Sequence, residues 1–266
     1  MRSLSSRHHP LVAAFRELAR SRAGEAHPLL LDGAHLLAEA MAAGLPLQTV
    51  AFTARALQAP ETSALAGALT GSAADLVEVS EPMMAAMSPV AAPSGIVAMA
   101  ARPASSIDRV LEAAPALVVA AVDVQEPGNV GAIVRAAEAG GATGAAFCGA
   151  SADPWGWKAL RGSMGSALRL PLAADADTLR LVAAARSSGI RVVAAVPRGG
   201  ERPDSVDLRR PALLLFGGEG PGLPEAVTAE ADVRVSIPMR PPVESLNVAV
   251  SVALLVYEAA RQRGTV

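Results

Sequence analysis

Three short polar stretches stand out in an otherwise apolar chain of 266 residues. Near the end, Ile237-Pro-Met239 is followed by Glu244-Ser245-Leu246-Asn247 and then by an almost uncharged run through Val256. Amide and hydroxyl side chains thereby sit at the mouth of a helix too apolar for a surface, where the first helical N–H groups have no partner inside the helix. A glycine-rich stretch, Phe216-Gly-Gly-Glu-Gly-Pro-Gly222, precedes it, and a third loop, Pro127-Gly128-Asn129-Val130-Gly131, lies far upstream. Backbone amides, a glutamate, an arginine and Asn and Ser side chains hold and orient a polar ligand better than they hydrolyse one. Group transfer from an already activated donor fits that inventory.

Competing chemistries fail on particular residues. A dinucleotide fingerprint needs G-x-G-x-x-G, but Leu223 stands where the last glycine belongs and Glu219 brings a negative charge into the loop. A Walker A loop needs Gly-Lys-Ser/Thr, and the only lysine, Lys158, follows Trp157. Arg161-Gly-Ser-Met-Gly165 does not keep the G-x-S-x-G spacing of a nucleophile elbow. His8, His9, His27 and His35 lie far from the three stretches, so no His-based triad and no metal site is expected. Cys148, the single cysteine, falls in the apolar run Gly144 to Gly149 and reads as a small buried hydrophobe; a disulfide framework and a zinc cluster are excluded.

The elements that must position these stretches follow from periodicity. With 52% hydrophobic residues the chain can build a sizeable core, and its length fits two domains. Leu4, Leu11, Phe15 and Leu18 are spaced for one helical face. Strands are then expected at Leu29 to Leu31, Thr49 to Thr53, Leu76 to Val79 and Ile96 to Met99. Helices fall at Ala34 to Ala43, at Thr62 to Leu69 and after Ser80. Residues 1–100 thus read as a small α/β domain, and residues 101–115, with Arg102-Pro-Ala-Ser-Ser106, as a linker. From residue 116 onward, strands at Leu117 to Val122, Ala145 to Cys148, Arg191 to Val196, Leu213 to Phe216 and Val233 to Ile237 alternate with helices. Near-continuous apolar strands of this kind belong to a parallel sheet covered on both faces, where ligands bind outside the carboxyl ends of the strands. All three polar stretches follow strand ends.

Charge adds less. The net charge is −2, so no global basic field points to nucleic acid. Arg2, Arg7, Arg16, Arg20 and Arg22 nevertheless crowd the first 22 positions against a lone Glu17, and either phosphate tracking or a solvated helix face accounts for them. Aromatic residues, at 3%, are too sparse for serial base stacking. No stretch approaches the roughly 18 unbroken apolar residues of a membrane span, and residues 1–10 have no signal-peptide core, so a cytoplasmic location is expected and no membrane partner.

Asn129-Val-Gly-Ala-Ile-Val-Arg135, Leu215-Phe-Gly-Gly-Glu-Gly-Pro-Gly-Leu223, and Ile237-Pro-Met239 with Ser245-Leu-Asn-Val-Ala249 closely resemble, in order and spacing, the three motifs of the SpoU (TrmH-like) RNA ribose 2′-O-methyltransferases of the SPOUT superfamily. The likeness covers about residues 115 to 262, and Arg161 to Gly165 resembles the family's loop after the second strand. Asp32-Gly-Ala-His-Leu-Leu-Ala-Glu-Ala40 and Pro93-Ser-Gly-Ile-Val97 sit where the family's substrate-binding module has its weaker signals.

The resemblance implies an α/β protein with a C-terminal parallel-sheet domain, residues 116–266, carrying a deep trefoil knot. A small α/β RNA-binding domain precedes it, and a homodimer forms through the C-terminal domain, whose second subunit helps complete the site. It implies S-adenosyl-L-methionine (AdoMet) as cofactor, wrapped by Gly217, Gly218, Gly220, Gly222, Ile237, Met239, Leu246 and Asn247. The activity implied is methylation of a ribose 2′-hydroxyl in structured RNA, with ribosomal RNA preferred, and with transfer RNA or a non-catalytic RNA-binding role as alternatives. Asn129, Arg135, Glu219, Ser245 and Asn247 would then form the catalytic set.

Two roles are open for Arg135: a base, if strongly shifted, or a clamp on the adjacent phosphate that stabilises oxyanion charge, which suits a guanidinium better. Asn129 orients the Arg135 loop or serves as a turn or cap residue. Glu219 binds a loop amide, pairs with Arg135, or is solvated. Ser245 and Asn247 contact ligand or cap the last helix. Three departures from the family pattern are Gly218, where relatives often have Ser, Asn or Ala, Asp32 in place of Glu, and the stiff Arg240-Pro-Pro242.

Overall fold

The computed structural model describes residues 1–4, 6–20 and 27–265; Arg22 of the basic leading segment lies outside the described residues. The chain separates into two compact units. One comprises Met1–Pro103 with Trp155–Arg169, the other Ala104–Pro154 with Leu170–Val266.

The first unit contains β1 (Arg2–Leu4), α1 (Pro10–Arg20), β2 (Leu29–Asp32), α2 (Ala34–Ala42), β3 (Leu47–Thr53), α3 (Pro60–Ala68), β4 (Asp75–Val79), α4 (Glu81–Met87) and β5 (Ile96–Ala100). Its five strands form a mixed sheet in the order β1-β4-β3-β5-β2. Strands β1, β4 and β3 run parallel, whereas β5 is antiparallel to both its neighbours. Phe15, Met83, Met84, Met87, Val77 and Val97 meet in one core. Leu4 departs from the expected helical face: it lies in β1, in register with Val79. The helix starts only at Pro10, where a missing N–H costs nothing and φ is already helical. Arg2 fixes this edge strand by donating from Nε and Nη2 to the two carboxylate oxygens of Asp75, at 3.0 and 2.5 Å.

The chain continues through α5 (Ile107–Leu111), β6 (Leu117–Val122), α6 (Pro127–Ala139) and β7 (Gly144–Cys148). Val110 and Leu111 of α5 are buried in the core of the second unit. Next come α7 (Trp157–Ser163) and α8 (Ser166–Arg169), which belong to the first unit. The indole N–H of Trp157 donates to the Ala19 carbonyl at 3.1 Å, and Arg169 pairs with Glu39. Arg161, Gly162 and Ser163 are therefore helical rather than loop, and only Met164, at φ 51°, and Gly165, at φ 88°, form a turn.

Back in the second unit follow β8 (Leu172–Ala176), α9 (Thr178–Ser187), β9 (Arg191–Ala195), β10 (Ala212–Gly217), α10 (Glu225–Ala229), β11 (Val233–Val235) and α11 (Val248–Arg263). All six strands are parallel, in the order β11-β9-β10-β6-β7-β8. Every residue of β6 and β7 is buried, which is why their sequences are continuous apolar runs. Strand β8 has no such run: Asp175 interrupts it at φ 51°. Burial pushes the Cys148 thiol up to about 11, the behaviour of an inert core cysteine. Among the described residues no helix is long and apolar enough to cross a membrane.

Candidate active site

Strand β10 ends at Gly217 and the chain folds back at once. Gly218 and Gly222 form an antiparallel bridge, and Gly220 and Gly222 take φ values of 96° and 71° that only glycine adopts readily. A Cβ on Gly217 would stand 2.1 Å from the carbonyl carbon of Gly222. One on Gly218 would stand 2.1 Å from the Asp123 carbonyl oxygen, at the end of the neighbouring β6. The departure at Gly218 thus has a steric basis in this chain, because Ser, Asn or Ala there requires the Asp123 backbone to retreat.

This fold-back forms one wall of a cleft at the carboxyl edge of the sheet. Ala195, Val196 and Pro197 at the end of β9, Val235, Ile237 and Met239 at and beyond β11, and Ser245, Leu246, Val248 and Ser251 around the start of α11 supply the rest. Gly217, Gly218, Gly220, Gly222, Ile237, Met239 and Leu246 all lie on its lining, as do Glu219 and Ser245. The walls are largely backbone and small apolar side chains, with one carboxylate and two hydroxyls. Such a cleft suits a ligand with an apolar ring system and a few hydrogen-bonding or cationic groups.

Asn247 is placed otherwise. Its Oδ1 accepts from the N–H groups of Ala249 and Val250 at 2.9 and 3.3 Å, so it is the N-cap of α11 rather than part of the lining. Its Nδ2 donates to Oδ1 of Asn129 at 3.0 Å, and Nδ2 of Asn129 in turn donates to the Glu219 carboxylate. Two side-chain bonds therefore join all three polar stretches. Asn129 is not in a loop: it belongs to the first turn of α6, behind the N-cap Glu126, whose Oε1 accepts from the Gly128 N–H at 3.4 Å. Pro127 supports this early start, since proline is at home in the first turn.

Arg135 lies farther along α6, exposed, and does not line the cleft. Among the described residues it makes no hydrogen bond or ion pair, so Glu219 is engaged by Asn129 and not by Arg135. The opposite face of α6, with Val130, Ile133, Val134 and Ala137, is buried. Helix α6 packs against α11 so closely that a Cβ on Gly140 would lie 2.4 Å from Cγ1 of Val256.

Ala195, Val196, Pro197, Val235 and Ser251 line the cleft without being marked as site residues by the sequence, whereas Phe216 and Val248 belong to the motifs quoted there. Most contribute backbone and shape, which leave no chemical signature. Ser251 had one, since it follows Asn247 by four residues and its hydroxyl donates to the Asn247 carbonyl at 3.3 Å.

The SpoU rRNA Methylase family matches residues 116–257, over half of the chain, and the MRM3-like substrate binding domain matches residues 12–98. An uncharacterised tRNA/rRNA methyltransferase from Synechocystis sp. is 33% identical over 265 residues, covering 98% of this chain and 94% of that one. A 23S rRNA (uridine(2479)-2′-O)-methyltransferase from Streptomyces viridochromogenes is 33% identical over 177 residues, which cover 65% of this chain and 62% of that protein. Among solved structures, an AdoMet-bound rRNA methyltransferase from Sinorhizobium meliloti superposes with a TM-score of 0.86 at 26% identity, over 97% of both chains. The SpoU methyltransferase AviRb from Streptomyces viridochromogenes, in complex with AdoMet, gives 0.86 at 28% identity, over 96% of this chain and 98% of that one. The chain belongs to the SpoU rRNA Methylase family.

Proposed function

We propose that the chain, an RNA methyltransferase of the SpoU class, transfers a methyl group from AdoMet to a ribose 2′-hydroxyl of structured RNA, and that the RNA is ribosomal. The observation that carries this reading is the glycine fold-back at the end of β10, which lines the cleft with main chain and is closed so tightly that a Cβ at position 217 would collide with the backbone of Gly222 and Leu223. The Streptomyces viridochromogenes relative named as a 23S rRNA 2′-O-methyltransferase supports the choice of acceptor and of RNA class.

Gly217, Gly218, Gly220, Gly222, Ile237, Met239 and Leu246 would hold the cofactor, whose sulfonium supplies an electrophilic methyl group. The wall around them is largely apolar, and Glu219 offers a negative charge that favours a cationic ligand. Asn129 holds Glu219 in place and Asn247 holds Asn129, so the carboxylate is oriented by the start of two helices. Ser245, on the cleft lining and without a hydrogen bond among the described residues, would meet the acceptor ribose. Arg135 would clamp the phosphate beside that ribose and stabilise negative charge as the 2′-oxygen gives its proton to solvent water and bonds to the methyl carbon, the S–CH3 bond breaking to leave neutral S-adenosyl-L-homocysteine, a role that asks a guanidinium only to stay charged.

Arg135 reaches the reaction centre through a homodimer. Val250, Leu254 and Tyr257 form an exposed apolar stripe on α11, each between 46 and 47% accessible. Two copies docked on this stripe bring their α6 helices, which pack on α11, to one seam. Leu254→Glu is expected to sediment as a monomer and to lose activity; an active monomer refutes this arrangement. Residues 1–100 act as the RNA-binding domain and residues 116–266 as the catalytic domain, with the chain around its cleft threaded as a trefoil knot. With ribosomal RNA as its substrate, the protein would act in the cytoplasm.

Incubation with isotope-labelled AdoMet and bacterial ribosomal RNA, followed by mapping of alkali-resistant linkages, tests the activity. Label at one ribose is expected. Folded protein that labels no RNA overturns the reading.

A further inference from the structure

A second concave surface lies wholly in the first unit, between α1 and α4, and the cleft chemistry makes no use of it. Arg7, His8, Arg16 and Arg20 line it together with small residues such as Ala85 and Pro89. Arg16 and Arg20 are one helical turn apart, so both guanidinium groups project from the same side of α1. Among the described residues Arg7, Arg16 and Arg20 have no carboxylate within ion-pairing distance. The acidic groups nearby are committed or turned aside. Asp75 is held by Arg2, Glu81 bonds Arg55 at 3.2 Å, and Glu17 of α1 does not line the groove.

We propose that this groove binds the sugar–phosphate backbone of the RNA substrate, a step that rests on the reading of RNA as the acceptor. Three guanidinium groups without a carboxylate partner among the described residues, over a shallow floor, match a run of phosphates, to which arginine binds through paired N–H donors. The lining carries no Phe, Tyr or Trp, and a single imidazole, that of His8, cannot stack a run of bases, so the groove follows backbone shape rather than sequence. The floor is alanine and proline, without the large apolar residues that enter a bilayer or the aromatic anchors that dominate a protein interface. Trp157 pins the adjoining end of α1 through the Ala19 carbonyl, to which its indole N–H donates at 3.1 Å.

The test measures binding of a dye-labelled RNA hairpin across a salt series, with full-length wild type and the exposed-site triple variant Arg7→Gln, Arg16→Gln, Arg20→Gln. The variant is expected to bind about 10-fold or more weakly at low salt, with a slope of log K against log salt shallower by about 2. AdoMet affinity stays unchanged, and the matching Arg→Lys triple variant keeps most of the slope. Unaltered affinity and slope in the Gln variant overturn the proposal. So does intact hairpin binding with lost binding to anionic lipid vesicles or to polyglutamate. If wild type labels ribosomal RNA and the variant does so equally well at every salt, the groove alone is refuted. If wild type neither binds the hairpin nor labels RNA, the RNA reading itself falls.

Discussion

The cleft of the second unit and the groove of the first are shaped by opposite means. In the cleft the form is set by backbone: Gly217 and Gly218 are so enclosed that a single added carbon collides with main-chain atoms. In the groove it is set by long, exposed side chains on α1 and the turn before it, over helices whose buried faces are occupied by Phe15, Met83 and Met84. A backbone-built site fixes one ligand geometry and tolerates little change. A side-chain-built one sums many weak, interchangeable contacts, as a polyanion requires.

Arg135 offers the largest test of that contrast, because it is an exposed helix arginine like those of the groove. Arg135→Ala should lower turnover by about 10²–10³-fold, the range for removing one group that stabilises transition-state charge, with AdoMet binding intact by calorimetry. A mere few-fold loss would make Arg135 another backbone contact. Gly217→Ala comes next: strain of about 1–3 kcal/mol should appear as a lower melting temperature together with lost AdoMet binding. Unchanged binding would show that the fold-back is not a tight cradle. For Asn129, replacement by Ala should cost about 1 kcal/mol, and Asn129→Asp more, since a carboxylate facing Glu219 cannot donate. Equal melting temperatures for the two variants would deny the relay. Arg16→Ala is the smallest: stability within about 0.5 kcal/mol of wild type, and a salt slope for RNA shallower by about 1.

Much of the second unit was legible because strands such as β6, buried on both faces, must be apolar throughout. Strand β8 was not, since Asp175 breaks its pattern, and β1 escaped because three residues with a single buried leucine carry no period. Asn129 looked like a turn residue, as Pro-Gly-Asn usually does; here Pro127 opens a helix instead. The glycines and the 245–247 segment were visible as chemistry. Val196, Pro197 and Val235 were not, because what they supply to the cleft is position. Nothing local marks Trp157 as a partner of Ala19, a bond that spans 138 positions.

The bonds from Asn129 to Glu219 and from Asn247 to Asn129 span 90 and 118 positions. Contacts at such separation close only once the intervening strands are in place, so they add nothing to the early nucleus. Their contribution falls on the way out of the native state: the relay slows unfolding without hastening folding, and acts as a latch fastened when all three segments have arrived.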